Sequence, residues 1–600
     1  ASLLFIAGFN ALFLRFGLDF GNDLNIDLIF KYSKSVYILI VFTLISNILN
    51  GVYKIVWRYA TPKDVLVLLR GLFLGYIFTL AFLHFTRIAI LPRSVGMLTF
   101  FGSYFLLLSS RMIYQTIINW KKKSGRLIGI VGAGDAGVIL LNEIRRNNYG
   151  TVVAFFDDDK QKIGRYISGV KVVSNTDYIN QYVEKFGIEE IIIAIPSASK
   201  EVMDRILSHI DTTKTILKIF PSINQLLDRP PNIKDLREVS IQDLLGREQI
   251  KVDISSISKY LTDKTIIITG AGGSIGSEIA RQVCQYSPRK VILLGRGENS
   301  IYEILSELKE KFYEIEIFPV IADISDEKLM EKIFNDTKPQ IVFHAAAHKH
   351  VYFMQYNLYE AIRVNLKGTI NLAKLSCKYN VERFVFISTD KAVNPTSFMG
   401  ASKRLAELYL LSNVENCSTH FSIVRFGNVI GSRGSVLWKF KKQIEKGGPI
   451  TITDPRMKRY WMSIPEAVSL VIQAGALADN LNSDRKKVLY VLDMGEQVYV
   501  EKVAKTLAQL MGKPNIEVKY TGAVAGEKLE EELFYEFEKP EKTIHPKIYE
   551  VNYYKSKFPN ISIEDYANKI MDLYSKGDEK SAEELLDELI KTYNKTFSEN

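Results

Sequence analysis

The feature that most constrains this chain is a series of four long apolar segments within its first 120 residues. The segments cover residues 2–18, 35–53, 64–86 and 94–114. Each is close to the roughly 20 residues that cross a bilayer, where every backbone N–H and C=O must be paired within the chain. Mean hydropathy is +0.02 although 24% of the residues are charged, because of this local apolar excess. We predict a transmembrane region of four helices over residues 1–120.

Basic residues around the segments predict their orientation. The second connection and the exit from the fourth segment are basic, with Lys54, Arg58, Lys63, Lys121, Lys122, Lys123 and Arg126. The first connection instead holds Asp19, Asp23 and Asp27 beside Lys31 and Lys34. The third connection, with Arg87 and Arg93, weakly opposes this asymmetry. Basic connections stay in the cytosol, so we expect the C-terminal portion there. The segments lack the buried acid–base pairs of pumps, which favours a bilayer anchor over a transporter.

The remaining composition argues against several classes of protein. Cys284, Cys377 and Cys417 fit neither a disulfide framework nor a zinc site, and the seven histidines show no metal-ligand spacing. We therefore predict no metal and a reducing compartment for the soluble part. The net charge of +10 is modest for 600 residues, and the basic flank of the membrane region explains it without nucleic acid.

A first glycine-rich turn follows the membrane region, in "RLIGIVGAGDAGVILLNEIRR". Gly132, Gly134 and Gly137 lie between an apolar strand and a helix, and Asp157 ends the next strand. Such glycines let a pyrophosphate approach the helix N-terminus, and the acid can bind a ribose hydroxyl. We predict an accessory Rossmann-like domain over residues 121–245 with a possible second nucleotide. The alternative is a domain kept for packing or regulation.

A second glycine-rich turn, "TGAGGSIGSEIARQ", begins the next domain. Its predicted cofactor contacts are Gly270, Gly273, Ser274, Ile275 and Gly276 at the turn, where backbone N–H groups meet phosphate. Later strand ends add Arg296, Asp323, Ile324, Ala345, Ala346 and Ala347. An arginine in place of an acid can hold the 2′-phosphate of NADP, while Glu298 leaves NAD open. Turn-rich residues 221–260 suggest a connector, and we assign 246–263 as the linker.

Titratable side chains follow the strand "VERFVF" in the stretch "STDKAVNPTSFMGASKRLAE". Thr389, Asp390 and Lys391 lie at the strand end, where α/β sheets place their ligand crevice. Lys403 follows on a predicted helix. Many nicotinamide enzymes have a tyrosine one helical turn before such a lysine, but here the residue is Met399, which cannot exchange a proton. Either the site is inactive, or its acid–base chemistry has moved to another residue such as those at the strand end.

Residues 264 to about 540 resemble the extended short-chain dehydrogenase/reductases. Besides the stretches already quoted, the motifs that carry this resemblance are "HAAAHKHV", "NLKGTINL", "RFGNVIGSRGSV" and "DPRMKRYWMSIPEAV". Within that superfamily they look like nucleotide-sugar 4,6-dehydratases. The order of four spans, Rossmann-like domain and dehydratase domain is similar to the large membrane-bound UDP-N-acetylglucosamine 4,6-dehydratases of bacterial polysaccharide and protein glycosylation.

The resemblance implies a fold class and a location. The chain is expected to be α/β, with four transmembrane helices followed by two Rossmann-like, doubly wound parallel-sheet domains. The catalytic domain would cover residues 264–545. A helical tail would cover 546–600, with "SAEELLDELIKTY" as an amphipathic helix for packing or dimer contact. The protein would be multi-pass in a bacterial inner membrane and a homo-oligomer, with a dimer favoured.

The resemblance also implies a reaction on a UDP-sugar: oxidation at C4, loss of water across C5 and C6, and return of the hydride to C6. The tightly bound NAD(P)+ is regenerated each turnover. Asp390 would be the acid at C6, and Lys391 the base at C5, kept neutral by burial or by Lys403. Thr389 would bind the C4 oxygen, and Lys403 the nicotinamide ribose. With Met399 silent, the C4 proton would reach Asp390 through Thr389 or a water.

Substrate contacts follow from the same resemblance. Asn428, Ser435 and Arg459 would bind the nucleotide diphosphate, and Lys349 or His350 would be a substrate contact or a plain loop residue. Relatives read "RPGEK" where this chain has "AVAGEK", so Val524 and Ala525 replace an Arg–Pro pair. Arg433 or Arg459 would then supply the missing diphosphate contact.

Two rival functions remain. A nucleotide-sugar 4-epimerase on this fold would need a tyrosine at Met399 and no Asp–Lys pair. A non-catalytic membrane scaffold that senses nucleotide and organises glycan assembly would need none of Thr389, Asp390, Lys391 and Lys403. Product formation from UDP-N-acetylglucosamine distinguishes all three.

Overall fold

A computed structural model describes residues 2–16, 26–55, 57, 62–120, 125–195, 198, 200–220, 233–239, 253–412, 417–477, 486–553 and 558–598. Two compact units divide the chain, Ala1–Ile128 with Leu141–Val152, and Gly129–Leu140 with Val153–Asn600. Several residues used for the orientation lie outside the described residues: Asp19, Asp23, Arg58 and Lys121–Lys123. So does most of the predicted connector, at 221–232 and 240–252.

Helices form the membrane region, because only they pair every backbone polar group of a spanning segment internally. They are α1 (Ser2–Phe16), α2 (Ile26–Leu49), α3 (Pro62–Thr86) and α4 (Arg93–Trp120). Within the described residues, three spans are long and apolar enough to cross a membrane, and they lie in α2, α3 and α4. The helix α1 has 15 residues, fewer than the roughly 20 of a span. Among the described residues, the structure therefore shows three candidate spans where four were predicted.

The second helix begins earlier than its apolar segment does. Asp27, Lys31 and Lys34 were expected in a connection, but they lie on α2, which starts at Ile26. Because these residues are charged, the hydropathy pattern did not include the first turns of the helix. Further along, α2 and α3 approach closely, and a Cβ at Gly75 would lie 2.6 Å from Thr43 Cα. Small residues permit such packing between membrane helices.

The first sheet has seven strands in the order β3-β4-β2-β1-β5-β6-β7. They are β1 (Leu127–Val131), β2 (Thr151–Phe156), β3 (Tyr166–Ile167), β4 (Val170–Ser174), β5 (Glu190–Ile193), β6 (Ile216–Ile219) and β7 (Arg237–Glu238). The helices are α5 (Asp135–Asn147), α6 (Ile179–Phe186) and α7 (Lys200–Ser208). Pairs such as β5 with β6 are parallel, and the central strands are apolar and buried, as parallel sheets require. This agrees with the predicted α/β fold.

The second sheet has nine strands in the order β10-β9-β8-β11-β12-β13-β18-β22-β21. The strands of this region are β8 (Thr265–Thr269), β9 (Lys290–Gly295), β10 (Glu316–Ile321), β11 (Ile341–His344), β12 (Arg383–Ile387), β13 (His420–Arg425), β14 (Asn428–Ile430), β15 (Ile450–Ile452), β16 (Lys458–Arg459), β17 (Trp461–Ser463), β18 (Lys487–Leu492), β19 (Val498–Tyr499), β20 (Val518–Tyr520), β21 (Pro540–Lys542) and β22 (Ile548–Val551). Strands β8 to β13 and β18 pair in parallel, and β21 and β22 add an antiparallel edge.

Helices of the second region are α8 (Ile254–Leu261), α9 (Ser274–Cys284), α10 (Glu298–Lys311), α11 (Glu327–Thr337), α12 (Val351–Gln355), α13 (Leu358–Ala361), α14 (Gly368–Lys378), α15 (Phe398–Ser412), α16 (Val436–Glu445), α17 (Ile464–Leu477), α18 (Val500–Leu510), α19 (Ile563–Ser575) and α20 (Glu579–Ser598). A π-helical turn, Ile362–Lys367, joins α13 to α14. The predicted linker contains α8, whose Ile257 and Leu261 are buried in the core. The amphipathic α20 packs Leu586 and Tyr593 into the core, as expected for packing.

The strand order reverses direction between β8 and β11, which is where open α/β sheets form their ligand crevice. The carboxyl ends of β8, β11 and β12 meet at this point, so the residues that follow these strands share one site.

One expectation about cysteine is wrong. Cys377 and Cys417 form a disulfide, with Cα atoms 5.2 Å apart, while Cys284 is free and buried. The two cysteines lie 40 residues apart, at the end of α14 and before β13, so only the tertiary fold brings them together.

Candidate active site

The turn after β8 packs closely against the backbone of the segment after β11 and against the start of α9. Gly270 has φ +64°, and a Cβ there would lie 2.7 Å from Ala346 N. A Cβ at Gly276 would lie 2.2 Å from Gly270 O, so the turn can pack this closely against α9 only if this position is glycine. Gly273 caps the N-terminus of α9, and Ser274 Oγ accepts a hydrogen bond from Arg433 N at 3.0 Å. The first turn of α9 carries no acidic residue, which leaves its positive end for an anion.

A buried histidine ties β8 to β11. His344 Nδ1 lies 2.8 Å from Thr269 Oγ1, and its Nε2 lies 2.9 Å from Thr369 Oγ1. Burial and neighbouring Lys403 hold the pKa of His344 well below its usual range, so the ring is neutral. Ala346 N donates to Thr269 Oγ1 at 3.2 Å, which sets the alanine segment beside the glycine turn. The predicted contacts of these two strand ends therefore lie together.

The predicted adenosine contacts form a charged network at the ends of β9 and β10. Arg296 Nε lies 3.5 Å from Asp323 Oδ2, and its Nη1 lies 3.3 Å from Glu360. Arg363 pairs with the same two acids. Arg296 remains more than half exposed. The side chain of Ile324 is buried in the core, and its carbonyl accepts a hydrogen bond from Asn371.

Thr389, Asp390 and Lys391 form one hydrogen-bonded group after β12. Thr389 Oγ1 donates to Asp390 Oδ1 at 2.9 Å, and Lys391 Nζ donates to the same oxygen at 2.9 Å. Asp390 is fully buried, and its backbone N–H donates to Phe426 O. Its second oxygen, Oδ2, is buried and has no hydrogen-bond partner among the described residues. A buried carboxylate oxygen without a donor is a natural place for a ligand hydroxyl.

The charge state of Lys391 differs from the expectation. Burial alone would lower its pKa, and Arg459 acts in the same direction. The carboxylates of Asp390 and Glu531 outweigh both, so the pKa of Lys391 is raised. Nζ lies 3.2 Å from Glu531 Oε1 and donates to Asn428 Oδ1 at 3.1 Å. The side chain is therefore an ammonium ion at rest and not the neutral amine that was predicted.

Lys403, unlike Lys391, has a lowered pKa. It is buried on α15, donates to Ile387 O at 2.6 Å, and lies 3.8 Å from the centroid of the Phe386 ring. Burial lowers its pKa to about 7, although Glu407 opposes the shift. Met399, one turn earlier, is buried in a small apolar cluster with Met354 and Ala361. No proton can be exchanged at that position.

A buried ionic cluster lies behind the carboxyl end of β12, and we call Arg404, Glu407, Arg425 and Glu538 the charge cluster. Arg425 lies 2.8 Å from Glu407 and 2.7 Å from Glu538, and all four side chains are fully buried. Ser388 Oγ donates to Glu407 Oε1 at 2.5 Å, which links the cluster to the residue before Thr389. Sequence reasoning did not identify Glu407, although its place four residues after Lys403 puts both on one helix face.

The predicted diphosphate contacts have different surroundings. Ser435 Oγ is buried and has no partner within the described part of the chain. Arg459 Nη1 donates to Lys458 O and Leu529 O, and its Nε lies 3.7 Å from Glu531. Arg433 is exposed and lies beside the glycine turn through its contact with Ser274. Lys349 Nζ donates to Ser432 Oγ at 3.2 Å, and burial lowers its pKa.

The accessory glycine turn is arranged differently. Gly132 has φ +104°, and a Cβ at Gly137 would lie 2.1 Å from Gly132 O, so turn and helix pack closely. A Cβ at Gly134 would have no atom within 4 Å among the described residues. Asp157 accepts a hydrogen bond from Ala133 N at 2.7 Å and pairs with Lys162 at 3.1 Å.

The sequence of the chain is similar to two protein families and to several known proteins. A family described as polysaccharide biosynthesis protein matches residues 266–553, and a CoA-binding domain family matches residues 48–219. Capsular polysaccharide biosynthesis protein CapD of Staphylococcus aureus is 41% identical over 551 residues, covering 89% of this chain and 90% of that protein. An inverting UDP-N-acetylglucosamine 4,6-dehydratase of Campylobacter jejuni is 34% identical, covering 46% and 81%. A UDP-glucose 4-epimerase of Rickettsia akari is 32% identical, covering 45% and 77%.

Proposed function

The chain belongs to the CapD-like polysaccharide biosynthesis proteins, which are nucleotide-sugar dehydratases of the extended short-chain dehydrogenase/reductase superfamily, and we propose that it is a UDP-N-acetylglucosamine 4,6-dehydratase. Its product would be a UDP-4-keto-6-deoxy-N-acetylhexosamine for surface polysaccharide or protein glycosylation. One observation carries the proposal: Asp390 is buried in contact with Thr389 and Lys391, with Oδ2 unpartnered among the described residues. Elimination of water needs such an acid beside a base.

The residues around the turn after β8 fit a nicotinamide dinucleotide. A Cβ at Gly270 or Gly276 would clash with the backbone, and one at Gly273 would be tight, while the N-terminus of α9 suits the pyrophosphate. Arg296 would hold a 2′-phosphate, which favours NADP, and Lys403 would hold the nicotinamide ribose. When bound, the cofactor supplies hydride acceptance from sugar C4 and hydride return to C6. Release of the bound dinucleotide by denaturation, followed by mass spectrometry, identifies it.

The proton steps belong to the strand-end residues. Thr389 would pass the C4 hydroxyl proton to Asp390, which already accepts a hydrogen bond from Thr389 Oγ1. Asp390 would then protonate the departing C6 hydroxyl. Lys391 would remove the C5 proton, which the 4-ketone acidifies. Met399 takes no part, and its buried apolar surroundings argue against the epimerase alternative, which needs a hydroxyl at that position.

The diphosphate and the membrane complete the proposal. Ser435, Asn428 and Arg433 would contact the diphosphate. Arg433 would replace the missing Arg–Pro pair, since it is exposed whereas Arg459 is buried beside Glu531. The apolar helices associate the chain with a membrane. We propose a multi-pass anchor in a bacterial inner membrane, with the catalytic region in the cytosol and the chain assembled as a dimer. A second nucleotide would bind at Gly132 and Asp157.

The deciding experiment incubates the whole chain, purified in detergent, with UDP-N-acetylglucosamine and identifies the product by NMR. A 4-keto-6-deoxy sugar supports the dehydratase. Formation of UDP-N-acetylgalactosamine would establish an epimerase instead. No turnover by folded, cofactor-loaded protein would favour the scaffold.

A further inference from the structure

Lys391 is held at rest in a protonation state that the proposed chemistry cannot use. A base at C5 must be neutral, yet the ammonium group lies 2.9 Å from Asp390 Oδ1 and 3.2 Å from Glu531 Oε1. Both carboxylates are almost completely buried, so water screens neither charge. A group within the site must therefore take a proton from Lys391 before each C5 deprotonation.

The surroundings of the ammonium group leave one suitable acceptor among the described residues. Asp390 is committed elsewhere, because it carries the C4 hydroxyl proton to the C6 oxygen. Asn428, whose Oδ1 lies 3.1 Å from Nζ, is an amide and takes up no proton near neutral pH. Arg459, whose Nε lies 3.7 Å from Glu531 Oε1, carries a guanidinium group, which donates protons and does not accept them. The remaining group is the carboxylate of Glu531.

Glu531 is set apart from the glutamates on either side of it. Glu530 and Glu532 have side chains 55% and 52% exposed, and they pair with Lys458 and Lys528. The Glu531 side chain is 3% exposed, and its Oε2 is buried with no hydrogen-bond partner in the described part of the chain. Burying a carboxylate is costly unless its charge is used or paired, so this placement calls for a reason.

The backbone of Glu531 is fixed by a single side chain. Gln497 Oε1 accepts a hydrogen bond from Glu531 N at 3.3 Å, and Gln497 Nε2 donates to Glu531 O at 3.0 Å. This two-sided contact holds the residue so that its carboxylate faces Lys391. A surface glutamate needs no such support.

We propose that Glu531 is a positioning residue for Lys391, whose carboxylate takes the ammonium proton so that Lys391 can remove the sugar C5 proton. The inference rests on the proposed function. The Lys391 N–H bond breaks as a Glu531 O–H bond forms, which leaves a neutral amine and a carboxylic acid. Lys391 then takes the C5 proton and later returns it to C5, and Glu531 returns its proton to Lys391. Apart from the water lost at C6, the cycle leaves no proton unaccounted for.

This exchange predicts a characteristic pH dependence. With Glu531 present, the Lys391–Glu531 pair keeps one shared proton, so the pair adds no pH dependence to the rate around neutral pH. Lys403, with its pKa of about 7, acts in the parent and the variants alike. The rate of each variant is therefore divided by the parent rate at each pH, and this ratio is the profile that stays flat or rises. With glutamine at 531, Lys391 must lose its proton to solvent. The neutral fraction then rises with pH, and the rate rises with it until Lys391 is deprotonated. A purely structural residue would not convert a flat profile into a rising one.

The test compares pH profiles of kcat for the whole chain and its Glu531→Gln, Glu531→Asp, Glu530→Gln and Glu532→Gln variants with UDP-N-acetylglucosamine. Near pH 7, Glu531→Gln should lose about 100-fold or more in kcat, the usual scale of lost acid–base help, with little change in KM. Its rate should recover as pH rises. Glu531→Asp should keep a flat profile at a reduced rate, and the two exposed-site variants should match the parent.

Thermal unfolding and dinucleotide content establish that each variant is folded. A flat profile for Glu531→Gln, or a rising one for Glu530→Gln, would overturn the inference while leaving the dehydratase intact. If Glu531→Gln does not fold, a rising profile for Glu531→Asp also overturns it. Absence of 4-keto-6-deoxy product from the parent chain would remove the proposed function itself, and the inference with it.

Discussion

The two glycine-rich turns of this protein start from the same strand–turn–helix pattern and differ in what surrounds it. In the first sheet, Asp157 is satisfied by Ala133 N and Lys162. Helix α5 also begins with Asp135, whose charge opposes an anion at that helix end. In the second, α9 begins without an acid, and Asp390 keeps a buried oxygen without a donor among the described residues. The glycine motif indicates the fold, whereas unsatisfied buried charge indicates where chemistry occurs.

The largest expected difference between the two regions is catalytic. Asp390→Asn removes the group that we propose carries the proton from C4 to C6, and kcat should fall about 100- to 10,000-fold. Asp157→Asn, in the first region, should leave kcat unchanged. Met399→Leu keeps the packing volume and should also retain most activity. The measurement is product formation by NMR, and a Met399→Leu loss as large as that of Asp390→Asn would contradict the relocated acid–base site.

The regions should also differ in what their ion pairs contribute to stability. Arg425→Met leaves Glu407 and Glu538 buried with one cation fewer, which should lower the free energy of unfolding by about 3–5 kcal/mol. Lys162→Met removes a partly exposed pair with Asp157 and should cost about 0–1 kcal/mol. Urea denaturation followed by intrinsic fluorescence compares them. Equal losses in the free energy of unfolding would mean that burial does not explain how much the charge cluster contributes to stability.

A pH-dependent difference is expected from Lys403. Its folded pKa, about 7, lies below the ordinary lysine value, so the folded state binds fewer protons than the unfolded state between these two values. The free energy of unfolding should therefore rise with pH across that window. Below pH 7, Lys403 is charged in both states, and the full cost of burying its charge destabilises the folded state. Lys403→Met removes the titration. The gap in thermal midpoint between Lys403→Met and the parent should narrow from pH 7 to pH 9, and an unchanged gap would refute the lowered pKa.

The smallest expected effect concerns the first turn. Gly134→Val adds a side chain where the described residues leave open space, so the fold should be retained while a pyrophosphate there would be blocked. Turnover with saturating substrate should stay the same. If kcat disappears in the folded variant, the accessory region takes a direct part in catalysis.

Much of the architecture could be predicted because it rests on local patterns. Apolar length located α3 and α4, and strand–glycine–helix order located both sheets. The start of α2 was missed because charged residues occupy its first turns. The disulfide was missed because sequence spacing carries no information about tertiary proximity.

In the candidate site, the strand-end residues stood out because their position after a buried strand places them at the crevice. The ionisation of Lys391 could not be predicted, since it depends on Glu531, which is 140 positions further along the chain. Glu531 itself is one of three identical neighbours, and only the fold distinguishes the buried one. Local sequence therefore predicts where reactive groups lie better than it predicts their charge.

The charge cluster behind Ser388 limits how this sequence can evolve. Replacing any one of Arg404, Glu407, Arg425 or Glu538 leaves an unbalanced charge in the core, whereas replacing partners together with apolar residues can be tolerated. A single substitution here should therefore give a destabilised protein, and a second, compensating substitution should restore the balance of charge. Since Ser388 hydrogen-bonds Glu407, the same constraint extends to Ser388, which directly precedes Thr389.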